Sequence, residues 1–265
     1  MVKRATLLSL FAVLLFSPWA SAETKKVLFI GKQPDHPFGT HMYLHTCGML
    51  AKCLANHGVE TVISDGWPQD AATLADIDAM VVYTTPAAEF LLDGPHRNEV
   101  VAAMKRGVGI VTIHWASSIF QQNLERLGPN WIDILGGTWV SNVGLHTGPS
   151  PLKQLVPDHP VCRGWKDHEI HDEYYLNPTI KTATPLLQVV AKEQPVVVAW
   201  VYERPDGGRA FATTLGHFYR NFQQEPFRRM IVNGILWSAK VDVPSQGANV
   251  RLPETELALP AAPEK

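Results

Sequence analysis

Cysteine is scarce in this sequence: Cys47, Cys53 and Cys162 are the only three among 265 residues. Cys47 and Cys53 fall on one expected helix, where six positions mean about 9 Å of rise, too far for a bridge. At most one disulfide through Cys162 remains, so the chain is no disulfide scaffold. No Cys-x-x-Cys-His occurs, which excludes covalently attached haem. An excess of one charge is lacking as well. The formal net charge is -2, with 23 basic and 25 acidic residues, and without a basic stripe nucleic-acid binding has no support. Phosphate cradles are missing too. No Gly-x-Gly-x-x-Gly opens the first helix and no Walker sequence occurs, so a bound dinucleotide is not expected.

Long apolar runs are absent after the start of the chain. Behind Lys3 and Arg4 an apolar stretch covers residues 7–16, and Ala20-Ser21-Ala22 supplies a small-x-small cleavage site. Those three features in that order predict a signal peptide over residues 1–22. The stretch is well short of the roughly 20 apolar residues that span a bilayer. The mature chain is therefore expected to be exported, periplasmic or extracellular, with no membrane span. About 240 residues remain, enough for one sizeable α/β domain, expected over residues 25–240. From Val241 onward the sequence is polar and proline-rich without a period, which predicts a disordered tail over residues 241–265.

Within the body, short apolar runs alternate with helical patterns. Residues 27–31, 59–63, 79–83 and 108–113 read as strands. A helix is expected over residues 41–57, capped by Thr40 and stopped by Gly58, and another over residues 95–106. This alternation argues for βαβ units and a parallel sheet covered on both faces. The second half is less regular. Residues 195–203 and 209–215 read as strands joined by Arg204-Pro205-Asp206-Gly207-Gly208, and a last helix starts near Pro226.

In an open parallel sheet, ligands sit beyond the carboxyl ends of the strands. His36 follows the first strand, His114 ends the fourth and His217 follows the strand 209–215. Neutral imidazoles from several loops can hold Zn²⁺ or another divalent metal, so these three are the expected metal ligands. Without a metal they would act as acid–base groups or bond sugar hydroxyls. His41 and His45, four apart on the expected helix, are candidates for substrate binding, as is the flat ring of Trp115. The segment 167–175 reads Asp-His-Glu-Ile-His-Asp-Glu-Tyr-Tyr. If extended, it turns Asp172 and Tyr174 one way and Glu173 and Tyr175 the other. Asp172, Glu173 and Tyr175 are the catalytic candidates, because a carboxylate there could take a proton beside a carbonyl. A solvated charged strand would carry the same residues and no chemistry. The turn after the fourth strand holds no cysteine, and Ser117 and Ser118 lack flanking glycines. Cysteine-dependent glutamine hydrolysis is thereby argued against, and a serine nucleophile has little support.

Several of these features together resemble one family. They are the opening 27–36, Ile113-His114-Trp115-Ala116, His159-Pro160-Val161 followed by Gly164, Asp172-Glu173-Tyr174-Tyr175, Leu215-Gly216-His217 and Asn233-Gly234-Ile235-Leu236-Trp237. In order and spacing they resemble the ThuA-like (trehalose utilisation) family of the class I glutamine amidotransferase-like superfamily, over roughly residues 25–240. The resemblance implies a flavodoxin-like α/β fold, a mostly parallel sheet with helices on both faces, lacking the amidotransferase cysteine. It implies a polar pocket on His36, His114, Asp172 or Glu173, and His217, and a role in the use of trehalose and related disaccharides.

Two readings of function follow. The first is an exported enzyme acting on a sugar or keto-sugar by metal-assisted acid–base chemistry at a histidine-rich pocket. The second is a non-catalytic carbohydrate-binding or accessory protein on the same fold. In both the partner is a small carbohydrate, and a homo-oligomer is compatible with either.

Overall fold

The computed structural model describes residues 24–141 and 143–262. The leader expected over residues 1–22 lies outside them. The elements of the first half are β1 (Lys26–Gly31), α1 (Tyr43–Ala55), β2 (Glu60–Asp65), β3 (Ala79–Val82), α2 (Ala87–Leu92), α3 (Arg97–Lys105), β4 (Gly109–Ile113), β5 (Ser118–Phe120), α4 (Leu124–Leu135) and β6 (Gly137–Ser141). There follow β7 (Leu145–Gln154), β8 (His168–Tyr175), β9 (Thr179–Ile180), β10 (Thr184–Ala191), β11 (Gln194–Glu203), β12 (Arg209–Thr213), α5 (Tyr219–Gln223), α6 (Glu225–Ser238) and α7 (Glu254–Leu257).

Nine strands form one sheet in the order β2-β1-β3-β4-β12-β11-β10-β7-β8. The first five run parallel, and from β12 to β8 every neighbouring pair is antiparallel. The sheet is therefore mixed, which corrects the mostly parallel expectation. The strand that hides best is β7, whose Gly148, Pro149 and Pro151 argue against a central strand. It pairs with β8 along its length, while its ladder to β10 is confined to Lys153 and Gln154. The prolines thus sit where no second ladder needs their missing N–H.

Both faces of the parallel half are covered, and β1 shows why. Val27 and Phe29 join one core with Tyr43, Cys47 and Leu50 of α1 and Phe227, Met230 and Ile231 of α6. Leu28 and Ile30 join a second core with Leu91 of α2, Val100 of α3 and Trp131 of α4. Successive side chains of a strand point to opposite faces, so a run apolar at every position needs a layer on each side. α6 packs tightly on the sheet at Gly234, where a β-carbon would overlap the Phe211 ring of β12.

Two expectations change at the chain's ends of structure. The helix starts at Tyr43 rather than at His41, which has φ +47° and stands outside it. The segment 241–262, expected to be disordered, packs on the body: Val243, Ala248 and Val250 are buried. Its backbone is held by side chains of α6. Arg228 Nε donates to Val250 O at 3.0 Å, Arg229 Nε to Ala248 O at 3.0 Å, and the Ala248 N–H to Asn233 Oδ1 at 2.8 Å. A segment tied through its own peptide groups needs no periodic side-chain pattern.

Candidate functional site

Three loops at the carboxyl edge of the parallel strands converge. The β1 loop brings His41, the end of β4 brings His114, and the β12 loop brings His217. The backbone is bent to do it. His41 and His114 have φ of +47° and +57°, a left-handed conformation that costs a non-glycine residue about 1–3 kcal/mol and persists only where neighbours enforce it. The His41 N–H donates to His217 O at 3.1 Å. The His217 loop turns at Gly216, φ +115°. The N–H groups of Gly216 and His217 donate to the Asp172 carboxylate at 2.7 and 3.0 Å.

The ring nitrogens form a triangle. His41 Nε2 lies 3.0 Å from His217 Nδ1 and 3.1 Å from His114 Nε2, and His217 Nδ1 lies 3.3 Å from His114 Nε2. The outer nitrogens assign the protons. His114 Nδ1 faces Thr214 O at 2.8 Å, so it carries the hydrogen and leaves a lone pair on Nε2. His41 Nδ1 lies 3.0 Å from Asp35 Oδ1; a proton there satisfies the carboxylate and leaves a lone pair on Nε2. Two lone pairs then face each other at 3.1 Å, a repulsive contact unless a cation sits between them. Zn²⁺ binds imidazole at about 2.0–2.1 Å in tetrahedral sites, which sets ligand nitrogens roughly 3.3 Å apart.

The electrostatics favour neutral rings. Burial, with neighbouring histidines, holds His41 and His217 down to about 4, and burial holds fully enclosed His114 well below its ordinary value. Burial alone would raise the Asp35 carboxyl. Hydrogen bonds from His36, Lys32 and His41 outweigh it and keep Asp35 well below the usual carboxylate range. A charged carboxylate behind a neutral imidazole orients the ring and raises its basicity toward a metal.

The remaining candidates divide. Glu173 and Tyr175 share the face of β8 that meets the triangle. Glu173 Oε1 is 3.8 Å from His114 Nε2 and 3.9 Å from His217 Nδ1, and burial raises its carboxyl. The Tyr175 hydroxyl lies 3.0 Å from His114 Nε2. Its ring stacks on Trp139 at 3.9 Å, and burial pushes its pKa well up. Trp115 is half-buried, donates Nε1–H to Ser141 Oγ at 3.0 Å and lies 6.2 Å, ring to ring, from His41.

Three placements correct the sequence reading. His36, expected as a metal ligand, lies outside the triangle with Nδ1 2.7 Å from Asp35 Oδ1, its ring 3.7 Å from that of His41 and tilted by 40°. His41 occupies the position assigned to it, because the strained turn before α1 swings that ring inward. His45 faces away from the cluster: it lies on α1 with Nε2 3.2 Å from the Tyr219 hydroxyl, facing the C-terminal segment. Asp172 accepts the backbone N–H groups of Glu173, Gly216 and His217 and is also bonded by the Asn221 side chain, so it positions a loop rather than facing substrate. Ser117, weighed as a nucleophile, donates to Thr213 O at 2.9 Å inside the core.

Asp35, Tyr43 and Trp139 were missed. The strand-end filter that found His36 covers Asp35 as well, had carboxylates been given the weight of imidazoles. Tyr43 reads as an apolar member of α1, yet its hydroxyl donates to Asp35 Oδ1 at 3.1 Å and lies 2.7 Å from His41 Nδ1. Among the described residues a further group, Asp35, His36 and His41, also brings potential ligand atoms together, on the exposed side of His41.

The family described as "ThuA: Trehalose utilisation" matches residues 26–238. Among solved structures, a protein described as ThuA-like from Bacteroides uniformis is similar at TM-score 0.63 and 17% identity, over 85% of this chain and 96% of that one. A cytoplasmic protein, STM1381 of Salmonella typhimurium, is similar at TM-score 0.58 and 13% identity, over 80% and 99%. A glutamine amidotransferase from Thermotoga maritima reaches TM-score 0.46 at 14% identity, over 82% and 86%. No curated protein matches the chain.

Proposed function

The chain belongs to the ThuA (trehalose utilisation) family, and from that premise we propose that it is an exported enzyme acting on a sugar or keto-sugar with a divalent metal ion, zinc or a similar cation, held by His41, His114 and His217. The observation that carries the reading is the 3.1 Å approach of His41 Nε2 to His114 Nε2 while the outer nitrogen of each ring faces an acceptor. Lone pairs at that distance suit a shared cation, and the Tyr175 hydroxyl, 3.0 Å from His114 Nε2, stands beside them as a further donor. Export rests on the basic, apolar and small-residue pattern of residues 1–22.

A cation in this position supplies Lewis-acid polarisation of a carbonyl or hydroxyl oxygen. The chain's own groups do the rest. Glu173, whose carboxyl burial raises, takes a proton from carbon or oxygen of the bound sugar and returns it. Tyr175, kept protonated by its burial, donates a hydrogen bond to a substrate oxygen. Trp115 offers an apolar plane to the sugar ring. The enclosing rings of Trp139 and Tyr175 limit water at the reacting atoms.

Metal analysis of the purified full chain, followed by incubation with trehalose or a keto-sugar under NMR, tests this. Stoichiometric metal that is lost in His114→Ala, with conversion of a sugar, is expected. Protein that holds no metal after zinc loading, and leaves every sugar unchanged, would remove the enzyme and leave the carbohydrate-binding alternative.

A further inference from the structure

We propose that Asp35, His36 and the outer nitrogen of His41 form a loading site, where a divalent cation docks before His41 passes it inward to His114 and His217. The inference rests on the metal reading above and adds to it a route of entry. Burial makes such a route necessary. The side chains of His41 and His114 are 2% and 0% exposed, and that of His217 13%. Asp35 and His36, on the loop after β1, are 24% and 36% exposed. A hydrated ion arriving from solvent reaches the outer pair more readily than the triangle.

The outer group is already gathered. Asp35 Oδ1 lies 2.7 Å from His36 Nδ1 and 3.0 Å from His41 Nδ1, and the potential ligand atoms of all three fall within 4.8 Å of one another. Ligand atoms about 2.0–2.2 Å from zinc stand roughly 3.3 Å apart, so a slight widening of these contacts seats an ion. The Tyr43 hydroxyl, 3.1 Å from Asp35 Oδ1 and 2.7 Å from His41 Nδ1, adds a neutral oxygen beside them. The loop is held at both ends. Gln33 Nε2 donates to Asp65 Oδ2 at 2.7 Å, and the Tyr219 N–H donates to Gly39 O at 2.9 Å.

The outer group and the triangle share one ring, and that ring sets the order. A neutral imidazole has a single lone pair. With its proton on Nε2, His41 gives Nδ1 to the outer group; with the proton on Nδ1, it gives Nε2 to the triangle. The two positions cannot use His41 at once, so together they hold one ion rather than two. Lys32 explains why the outer position is a stop and not the end. Its ammonium donates to Asp35 Oδ2 at 3.1 Å and repels a cation docked on Oδ1. The way in passes His36, whose ring lies 6.0 Å, edge to face, from those of Trp115 and His217.

Stopped-flow mixing of cobalt(II) with the metal-free full chain, followed by visible absorption, reads the way in, and excess chelator reads the way out. His36→Ala is expected to slow uptake and release alike by about tenfold. One equivalent should still bind at the same final affinity, because a stop on the path changes rates and not end states. His36→Asp, which keeps a ligand atom there, is expected to restore most of the rate. Unchanged or faster uptake in His36→Ala overturns the loading site, and faster uptake would make His36 a cover. A lower final affinity at the parent's uptake rate overturns it too, by making His36 a ligand of the settled ion. In these cases the inner triangle stands. Two equivalents bound by the parent would overturn the shared use of His41. Parent protein that binds neither cobalt nor zinc removes the metal reading and the loading site with it. Circular dichroism of each variant separates a lost route from a lost fold.

Discussion

The Asp172 carboxylate accepts the backbone N–H of His217 at 3.0 Å, so the acidic residue next to Glu173 works on the loop that presents a histidine and not on the ligand. Asparagine at position 172 would turn one acceptor into a donor opposite the N–H groups of Gly216 and His217. Asp172→Asn is therefore expected to cost about 1–3 kcal/mol of stability and to weaken zinc binding, readable by denaturant unfolding and by competition with a chelating dye. Unchanged stability and affinity together would contradict the positioning role.

Asp35 stands behind His41 as a carboxylate behind a ligand ring. Losing such a partner commonly weakens metal affinity by about 10–100-fold. Asp35→Asn should show that loss in a zinc titration while its far-ultraviolet circular dichroism matches the wild type. An affinity within twofold of the parent would show that the Asp35–His41 pair is not needed to orient the ring.

The exchange of His36 for His41 is open to a direct comparison. His41→Ala is expected to abolish stoichiometric metal, whereas His36→Ala and His45→Ala should retain it. Elemental analysis of the three purified variants decides. Metal lost in His36→Ala but kept in His41→Ala would reverse the assignment.

Acid should destabilise the metal-free protein. His41, His159 and His217 are held down to about 4, and His114 well below its ordinary value, all chiefly by burial. In the unfolded chain histidine titrates near 6.5, so only the unfolded state takes up these protons between about 6.5 and 4. The stability they lend is full above that window and lost as the pH falls through it. Asp172 acts with the opposite sign: burial raises its carboxyl to about 7, and what it lends at low pH fades as the pH rises toward that value. The histidines outnumber it. Urea midpoints of chelator-treated protein should fall from pH 6.5 to pH 5, and a flat or rising series would refute the balance.

A proton-handling role for Glu173 separates catalysis from binding. Glu173→Gln keeps shape and removes basicity. It is expected to lower kcat by about 10²–10⁴-fold on any sugar the protein converts, with metal content unchanged. A kcat near that of the parent would assign the proton transfer elsewhere.

Much of this was legible in the residues. The parallel half could be read because β1, β3 and β4 are apolar at nearly every position, and β11 and β12 because a turn sequence separates them. β7 could not, since its glycine and prolines signal a loop until a partner on one edge is known. The strand-end rule led to His114 and His217. It missed the role of His41 because a residue with φ +47° interrupts what reads as a continuous helix, and no local pattern in the sequence announces that bend. Alternation along β8 showed that Asp172 and Glu173 face opposite ways, but which face meets the histidines depends on where β8 docks, a tertiary fact. The C-terminal segment was misread for a related reason: Arg228, Arg229 and Asn233 grip its peptide groups, and such a grip leaves no trace in the segment's own composition.

The three imidazoles come from distant parts of the chain, His41 and His114 being 73 residues apart and His114 and His217 103. An extended polypeptide has nowhere to seat the ion they would share, so occupancy would follow completion of the fold rather than guide it. The cation would then behave as a latch, sliding home last and resisting the first opening of the sheet's upper edge. Zinc added to refolded protein should accordingly slow unfolding while leaving the rate of refolding almost untouched.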